Sequence, residues 1–188
     1  TDGGMTISSS FKVMDENTKE DYDAGFTLAF TDGSKLDVLN AGNASSSHAV
    51  SIPGSAGAEG VANTSTNMAP TGLDFMNSST AFGIEYHTAA DFLADGLKAS
   101  FSTSTDSGAA NSATYRVDSH VAIGATYVTD LGDTAVTIGA GYSGAEGSKT
   151  GDAVNDDNGG VHVGVSAVTG DLTVCLLYTS PSPRDRSI

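Results

Sequence analysis

Basic residues and cysteine are scarce in this chain, and long apolar runs are missing. Eight lysines and arginines stand against 23 acidic residues, so the formal net charge at pH 7 is -15. This sign repels phosphates and argues against nucleic acid as a partner. No stretch approaches the roughly 18 consecutive apolar residues of a membrane helix, which excludes a helical span. A barrel is not excluded, because its strands carry apolar residues only at every second position.

Catalytic and phosphate-binding motifs are also missing. The sequence contains no GxSxG, no HExxH and no GxxxxGK, and its one cysteine lies in a C-terminal stretch that is treated separately below. We therefore predict that the chain is not an enzyme and needs no cofactor. DAVNDDNGG at 152–160 has the composition of a calcium loop without its full spacing, which leaves a loop-bound divalent cation as an alternative.

The C-terminal stretch from Cys175 to Ile188 is predicted to be a non-native tail. Its CLLYTS corresponds in one reading frame to TGTCTCTTATACACATCT, a transposon end used in sequencing libraries, and its SPRD continues into the primer arm. We therefore interpret 175–188 as translated adapter. Without this tail the chain has no cysteine and a single arginine, Arg116.

Apolar residues recur at every second position in nine runs, and the positions between them are small or polar. In a clear example, Val121 and Ile123 alternate with His120, Ala122 and Gly124. A period of two predicts β-strands with one apolar face. The runs lie at 5–13, 26–30, 35–38, 82–87, 97–102, 120–127, 136–143, 161–167 and from 172 onwards.

Short and long connections alternate between these runs. Short turns are predicted at 31–34, 88–95, 129–133 and 168–171. Long polar connections are predicted at 15–22, 42–79, 104–117 and 144–159. An antiparallel meander with short turns at one end and long loops at the other is typical of bacterial outer-membrane barrels.

The composition of the two faces distinguishes a barrel from a soluble sandwich. The outer face of a sandwich strand carries charges and threonine, and its inner face carries large interlocking residues. Here the polar face is rich in glycine, including Gly124, Gly139 and Gly141, as expected where strands curve around a wet lumen. The apolar face of the assigned runs bears no charge. We therefore predict an all-β fold, a transmembrane antiparallel up-and-down β-barrel.

Aromatic residues fall near both ends of the predicted strands. Phe30, Tyr86 and Tyr127 lie near the short turns, and Phe11 and Tyr142 lie near the long loops. This placement predicts two aromatic girdles, one at each membrane interface. The alternative is the general enrichment of aromatic residues in strands.

Four segments resemble a known family, the 16-stranded general porins of alphaproteobacteria, which are trimeric and of the Rhodobacter type. TDGGMTISSSFKV at 1–13 is similar to the hairpin that enters the third strand of that family. FTLAFTDGSKLDVLNAG at 26–42 is similar to its next hairpin, which leads into a long loop folded inside the barrel. SSTAFGIEYHT and GDTAVTIGAGYSG have the same character.

The resemblance implies that residues 1–174 form about strands three to eleven of a larger barrel, with 42–79 as the loop that constricts the pore. It implies a homotrimer in the outer membrane, in contact with lipid and lipopolysaccharide, that lets ions and small hydrophilic solutes diffuse passively. Constriction loops of the family carry several carboxylates, whereas this loop has only Glu59 and Asp74. Because the chain starts at Thr1 without a methionine or an apolar leader, we expect both ends to be truncations.

Charged side chains that face a pore set its ion selectivity, so ionisable residues of the polar face are the functional candidates. We predict that a basic wall faces the two loop carboxylates Glu59 and Asp74. The wall residues are Lys12, Lys98, Arg116, His120 and His162. The alternative for each is a solvated residue without effect on selectivity.

Two other functional classes remain open. A secreted or surface-anchored β-sandwich adhesin would use the Gly-, Ser- and Asp-rich loops to bind a partner. An outer-membrane barrel enzyme, such as a lipase or protease, would need a catalytic triad that no spacing in this sequence favours. The adhesin would be soluble and monodisperse in buffer, whereas a porin would depend on detergent.

Overall fold

The computed structural model of the chain describes residues 4–10, 25–39, 42–50, 82–107, 115–149 and 155–181. Most of these residues lie in nine β-strands. The strands are β1 (Thr6–Ser10), β2 (Gly25–Ala29), β3 (Lys35–Val38), β4 (Phe82–His87), β5 (Leu97–Ser107), β6 (Tyr115–Leu131), β7 (Thr134–Lys149), β8 (Asn155–Thr169) and β9 (Leu172–Pro181). One short helix, α1 (Ala44–Ser47), lies between β3 and β4. Within the described ranges, no helix has the length and apolar character needed to cross a membrane.

Every strand pairs antiparallel with the strand before it in the chain. The result is one nine-stranded sheet in the order β1 to β9, in which β1 and β9 are the edges. The prediction of an all-β, up-and-down antiparallel fold is therefore confirmed, and each of the nine predicted runs overlaps a different strand.

Two of the predicted short turns are tight hairpins. The β6–β7 loop consists of Gly132 and Asp133, and the β8–β9 loop consists of Gly170 and Asp171. Both glycines have positive φ, 66° and 56°. Two-residue hairpin loops require such a φ at their first position, where glycine has no steric penalty. The turns predicted at 129–133 and 168–171 are therefore confirmed in place and are shorter than expected.

Two of the predicted long connections are wrong in extent. Much of 104–117 and of 144–159 belongs to the strands, since β7 continues to Lys149 and β8 begins at Asn155. The β7–β8 ladder includes pairs of small or acidic residues, such as Glu146 with Asp157. Ladder hydrogen bonds come from the backbone, so a strand can continue where apolar alternation has stopped. The sequence pattern therefore underestimated the length of the strands.

One face of the sheet has exposed apolar side chains and the other has buried polar side chains, which is the reverse of a sheet in a water-soluble protein. On β5, Phe101 is 41% exposed, whereas Ser100 and Ser102 on the other face are 4% and 1% exposed. The same alternation continues on neighbouring strands. Exposed apolar residues of this kind include Ile84, Val121, Ile123, Ile138, Val161 and Val163. We call their side the apolar face and the opposite side the polar face.

The positions predicted for the aromatic residues have different outcomes at the two ends of the strands, and the girdles themselves stay a prediction. Phe30, Tyr86 and Tyr127 are exposed near the short connections, as expected. Tyr142 lies midway along β7 rather than near a long loop, because the strand continues to Lys149. The expectation for Tyr142 is therefore wrong, and Phe11 lies outside the described residues.

The strand β9 includes part of the predicted non-native tail. Leu176 pairs with Val165 and Tyr178 with Val163 of β8, and these two side chains continue the exposed apolar face. The origin of the tail in an adapter stays a prediction, since strand pairing does not depend on where a sequence came from.

Candidate functional site

The polar face carries a short stretch of chain, residues 42–50, which we call the inner segment. Its helix α1 packs against β5, β6 and β7. Asn43 caps the helix, because its Oδ1 accepts hydrogen bonds from the backbone N–H groups of Ser45 (3.0 Å) and Ser46 (3.3 Å). Such a cap satisfies donors that one helical turn leaves unpaired.

Backbone groups of the inner segment bond directly to side chains of the sheet. The N–H of Ala44 donates to Ser102 Oγ at 3.0 Å. His162 Nε2 donates to the carbonyl oxygen of Ser45 at 2.9 Å, which requires the proton on Nε2. The inner segment thus uses the sheet's hydroxyl and imidazole groups in place of water.

The side chain of Asn43 extends this network toward β6. Its Nδ2 donates to Ser143 Oγ at 3.1 Å, and the same hydroxyl lies 3.1 Å from His120 Nε2. All three side chains are buried. Asn43 therefore anchors the beginning of α1 both to its own helix and to two strands.

His48 fastens the other end of α1. Its Nδ1 lies 2.7 Å from Thr126 Oγ1 and its Nε2 lies 2.8 Å from Ser100 Oγ, so both ring nitrogens have hydroxyl partners. Hydroxyl groups can donate or accept, so this arrangement suits a neutral imidazole.

The environment of His48 also favours its neutral form. Burial lowers the pKa of His48 below its ordinary value, and the proximity of His87, His162 and Lys98 lowers the pKa further. Desolvation and like charge act here in the same direction. We expect the docked imidazole to be unprotonated at neutral pH.

Glycines of the polar face allow the inner segment to approach the sheet closely. A Cβ added at Gly124 would overlap the carbonyl oxygen of Ala44, and a Cβ added at Gly139 would overlap that of His48. Both overlaps involve backbone atoms, so the inner segment would have to move. Strand curvature and lumen space are the reasons expected for these glycines from the sequence, and the close contact with the inner segment is a further reason that the sequence pattern does not reveal.

A cavity of about 320 Å³ lies between the inner segment and the β3–β5 region. Two lysines, Lys35 and Lys98, contribute to its lining, and we call it the basic cavity. Its other polar lining residues are Ser47, His48, His87, Thr88 and Ser100.

Within the described part of the chain, one group of side chains has the geometry of a metal site. Asp37, Glu85 and His87 each offer one ligand atom, and these atoms lie within 4.8 Å of one another. β3 and β4 bring them together on the polar face.

Comparison with known proteins gives no match. No family model, no curated protein and no solved structure matches the chain. The functional assignment therefore depends on the geometry of the two faces and the inner segment.

Three of the predicted pore-lining residues lie on the polar face. Lys98 lines the basic cavity. His120 and His162 are buried, the first beside Ser143 and the second against Ser45 of the inner segment. His162 thus holds the inner segment directly, whereas His120 reaches it only through the Ser143 hydroxyl that Asn43 also contacts. The influence of both histidines on a pore stays a prediction.

The remaining candidates have less structural support. Arg116 lies near the start of β6, where its backbone pairs with Ser148 of β7. Lys12, Glu59 and Asp74 lie outside the described residues. The inner segment is the beginning of the loop predicted at 42–79, and positions 51–79 also lie outside the described residues.

The metal-type cluster was also missed by sequence reasoning, although a signal for it existed. Asp37 occupies a polar position of the third run, and Glu85 and His87 occupy polar positions of the fourth run. In a meander these two runs pair with each other, which places the three side chains on one face. The exact register across the long connection could not be read from the sequence.

Proposed function

We propose that the chain forms part of a porin-type β-barrel channel in the outer membrane of a Gram-negative bacterium, through which ions and small hydrophilic solutes diffuse. The observation that carries this proposal is the exposure of apolar side chains on one face of the sheet combined with burial of polar side chains on the other. In a membrane barrel the apolar face meets lipid and the polar face meets the lumen.

The lengths of the later strands support the proposal. A transmembrane β-strand needs about 9–11 residues. β5 has 11 residues, β6 has 17, β7 has 16 and β8 has 15. All four are long enough to cross the hydrocarbon core of an outer membrane.

The open edges define what a complete barrel would require. β1 and β9 lie at opposite edges of the sheet. Unpaired backbone groups are not tolerated in lipid, so both edges must pair with further strands when the sheet is in a membrane. The proposed barrel therefore contains more than nine strands, in agreement with the larger barrel that the resemblance implies.

The inner segment supports the channel for a second reason. It lies on the polar face, held there by buried hydrogen bonds, and the basic cavity lies beside it. A loop folded against the inner wall would narrow the lumen and place Lys35, Lys98 and His87 beside the path of solutes. Charges in such a position set ion selectivity.

The adhesin alternative requires a different use of the apolar face. In a sandwich this face would pack against a second sheet. The described strands form one sheet, and their large apolar side chains are exposed. A trimer, by contrast, is a prediction of the resemblance alone.

The test is to purify the complete barrel, in which further strands pair with β1 and β9, with and without detergent and to measure its conductance in planar lipid bilayers. We expect the complete barrel to require detergent, to migrate differently on gels before and after heating, and to produce ohmic current. Lys98→Glu should shift the current toward cations, whereas Asp133→Asn in the β6–β7 turn should leave it unchanged.

Two results would contradict the proposal. One is a soluble, monodisperse protein in detergent-free buffer, which would favour the adhesin. The other is a complete barrel that inserts into bilayers and carries no current.

A further inference from the structure

The cluster of Asp37, Glu85 and His87 combines three metal-ligating side chains on two neighbouring strands. Asp37 on β3 is directly opposite Glu85 on β4, and His87 follows Glu85 by two residues on the same face. Directly opposed residues of an antiparallel pair have Cβ atoms about 5 Å apart, so their side chains can converge on one point.

The distances within the cluster match the edges of a coordination polyhedron. His87 Nε2 lies 3.1 Å from Asp37 Oδ2 and 3.6 Å from Glu85 Oε1. Zinc bonds of about 2.0–2.2 Å in tetrahedral geometry separate neighbouring ligand atoms by about 3.4 Å. The three atoms could therefore hold one ion with little rearrangement.

The other polar atom of each ligand is already held by a separate group. Thr27 Oγ1 donates to Asp37 Oδ1, and Ser100 Oγ lies 2.8 Å from His87 Nδ1. The N–H of Gly42 donates to Glu85 Oε2 at 2.7 Å. Outer partners of this kind orient metal ligands and fix the tautomer of a ligating histidine.

Of the three inner atoms, Asp37 Oδ2 and His87 Nε2 are hydrogen-bonded to each other at 3.1 Å, whereas Glu85 Oε1 is unsatisfied. Glu85 is 4% exposed, and its Oε1 has no hydrogen-bond partner, because 3.6 Å to His87 is too long for a hydrogen bond. Two carboxylates face each other across the strand pair, which is unfavourable without a compensating cation. Lys35 Nζ contacts Asp37 Oδ2 at 3.2 Å, and its side chain is 46% exposed, so it can leave.

We propose that Asp37, Glu85 and His87 bind one divalent transition-metal ion of the zinc class. An imidazole ligand and a set of three protein ligands favour such an ion over Ca²⁺, which takes six to eight oxygens. Water fills the open position, and the basic cavity, which His87 also lines, provides its access.

The bound ion would stabilise the junction of three parts of the chain. It joins β3 to β4, and through Glu85 it orders the group that accepts the N–H of Gly42 at the start of the inner segment. The site does not depend on the channel proposal, because its ligands and their outer partners are complete within the described residues.

The test is titration of the full chain with Co²⁺, followed by displacement with Zn²⁺. We expect one Co²⁺ per chain with a visible ligand-field spectrum of a nitrogen- and oxygen-ligated ion, and we expect Zn²⁺ to remove it. Loss of an outer partner costs about 10- to 100-fold in affinity, so His87→Gln should weaken binding by at least about 100-fold. Glu146→Gln, an exposed carboxylate of β7, is the matched control and should have no effect.

Lys35→Gln provides a test with the opposite sign. It removes a half-exposed ion pair that competes for Asp37, so Zn²⁺ should bind roughly two- to fivefold tighter. This variant decides the question even if His87→Gln does not fold.

Three results would overturn the proposal. They are the absence of Co²⁺ binding by the unaltered chain, equal weakening by His87→Gln and Glu146→Gln, and unchanged or weaker Zn²⁺ binding by Lys35→Gln. Conductance measurements do not enter this test, so its failure is distinguishable from failure of the proposed channel.

Discussion

On β6, Val121 and Ile123 on one face are 43% and 54% exposed, whereas His120 and Ala122 on the other face are 5% and 0% exposed. Neighbouring residues of the same strand thus experience opposite environments. A water-soluble sheet would bury the valine and isoleucine and expose the histidine. The difference indicates that the two faces are built for two different surroundings.

The two faces also differ in how they tolerate change. The apolar face has large side chains with open space around them, so the surrounding medium limits which substitutions this face accepts. The polar face has serines, histidines and glycines in direct contact with the inner segment. On the polar face, side-chain size and hydrogen bonding to the inner segment limit which substitutions are accepted. Substitutions on the two faces should therefore have distinguishable effects.

The largest effect is expected from a charge on the apolar face. In a membrane barrel, Ile123→Lys should reduce the free energy of unfolding by roughly 2–4 kcal/mol, because Ile123 lies in the middle of β6 and the lysine would face hydrocarbon. Denaturant unfolding in lipid vesicles measures this change.

Leu131→Lys is the matched control, because Leu131 is an exposed residue of the same strand and face beside the Gly132–Asp133 turn. Near the interface the cost should fall to about 0–1 kcal/mol. Equal costs for Ile123→Lys and Leu131→Lys would remove the argument that the apolar face contacts lipid.

A smaller effect is expected beneath the inner segment. Gly139→Ala places a methyl group against the carbonyl oxygen of His48, which forces the backbone of the inner segment away. We expect a loss of roughly 1–3 kcal/mol, as for other overpacked sites. The amide of Ala44, bonded to Ser102, should exchange with deuterium faster.

Ala140→Val is the control for this substitution, because it adds methyl groups to the apolar face one residue along β7. It should leave the exchange of Ala44 unchanged. If Gly139→Ala also leaves the exchange of the Ala44 amide unchanged, the inner segment does not contact Gly139 closely.

The smallest effect is expected from pH. The pKa of His48 is lowered by burial, so the folded chain binds the proton less readily than the unfolded chain does. The stability that the neutral ring contributes is fully present above the unfolded pKa of about 6.5 and is lost as pH falls through the folded pKa. Exchange at Ala44, corrected for intrinsic rates, should be faster at about pH 5.5 than at about pH 7.5.

His48→Gln should abolish this dependence, since glutamine keeps hydrogen-bonding groups without titrating. The amides of the β6–β7 ladder should show no such pH effect and serve as an internal reference. An unaltered chain whose Ala44 exchange is the same at both pH values would show that His48 does not control docking.

Most of the strand order could be predicted from the sequence. Alternation in runs such as Val121 to Tyr127 is local, and a meander with short Gly-Asp turns leaves little choice of pairing. The ends of the strands could not be predicted where Gly144, Glu146 and Asp157 continue the ladder without an apolar pattern. The buried positions of His120 and His162 were equally hidden, because they depend on where the inner segment lies.

The alternation of residues along the chain is enough to establish successive antiparallel strands and the side chains that share a face, because the pleat has a period of two. The position of the inner segment on the glycines of the polar face, and the meeting of Asp37 with Glu85 and His87, become visible only in three dimensions. These contacts join residues from distant parts of the chain. They depend on register and on the path of the connection, neither of which is encoded in a local pattern.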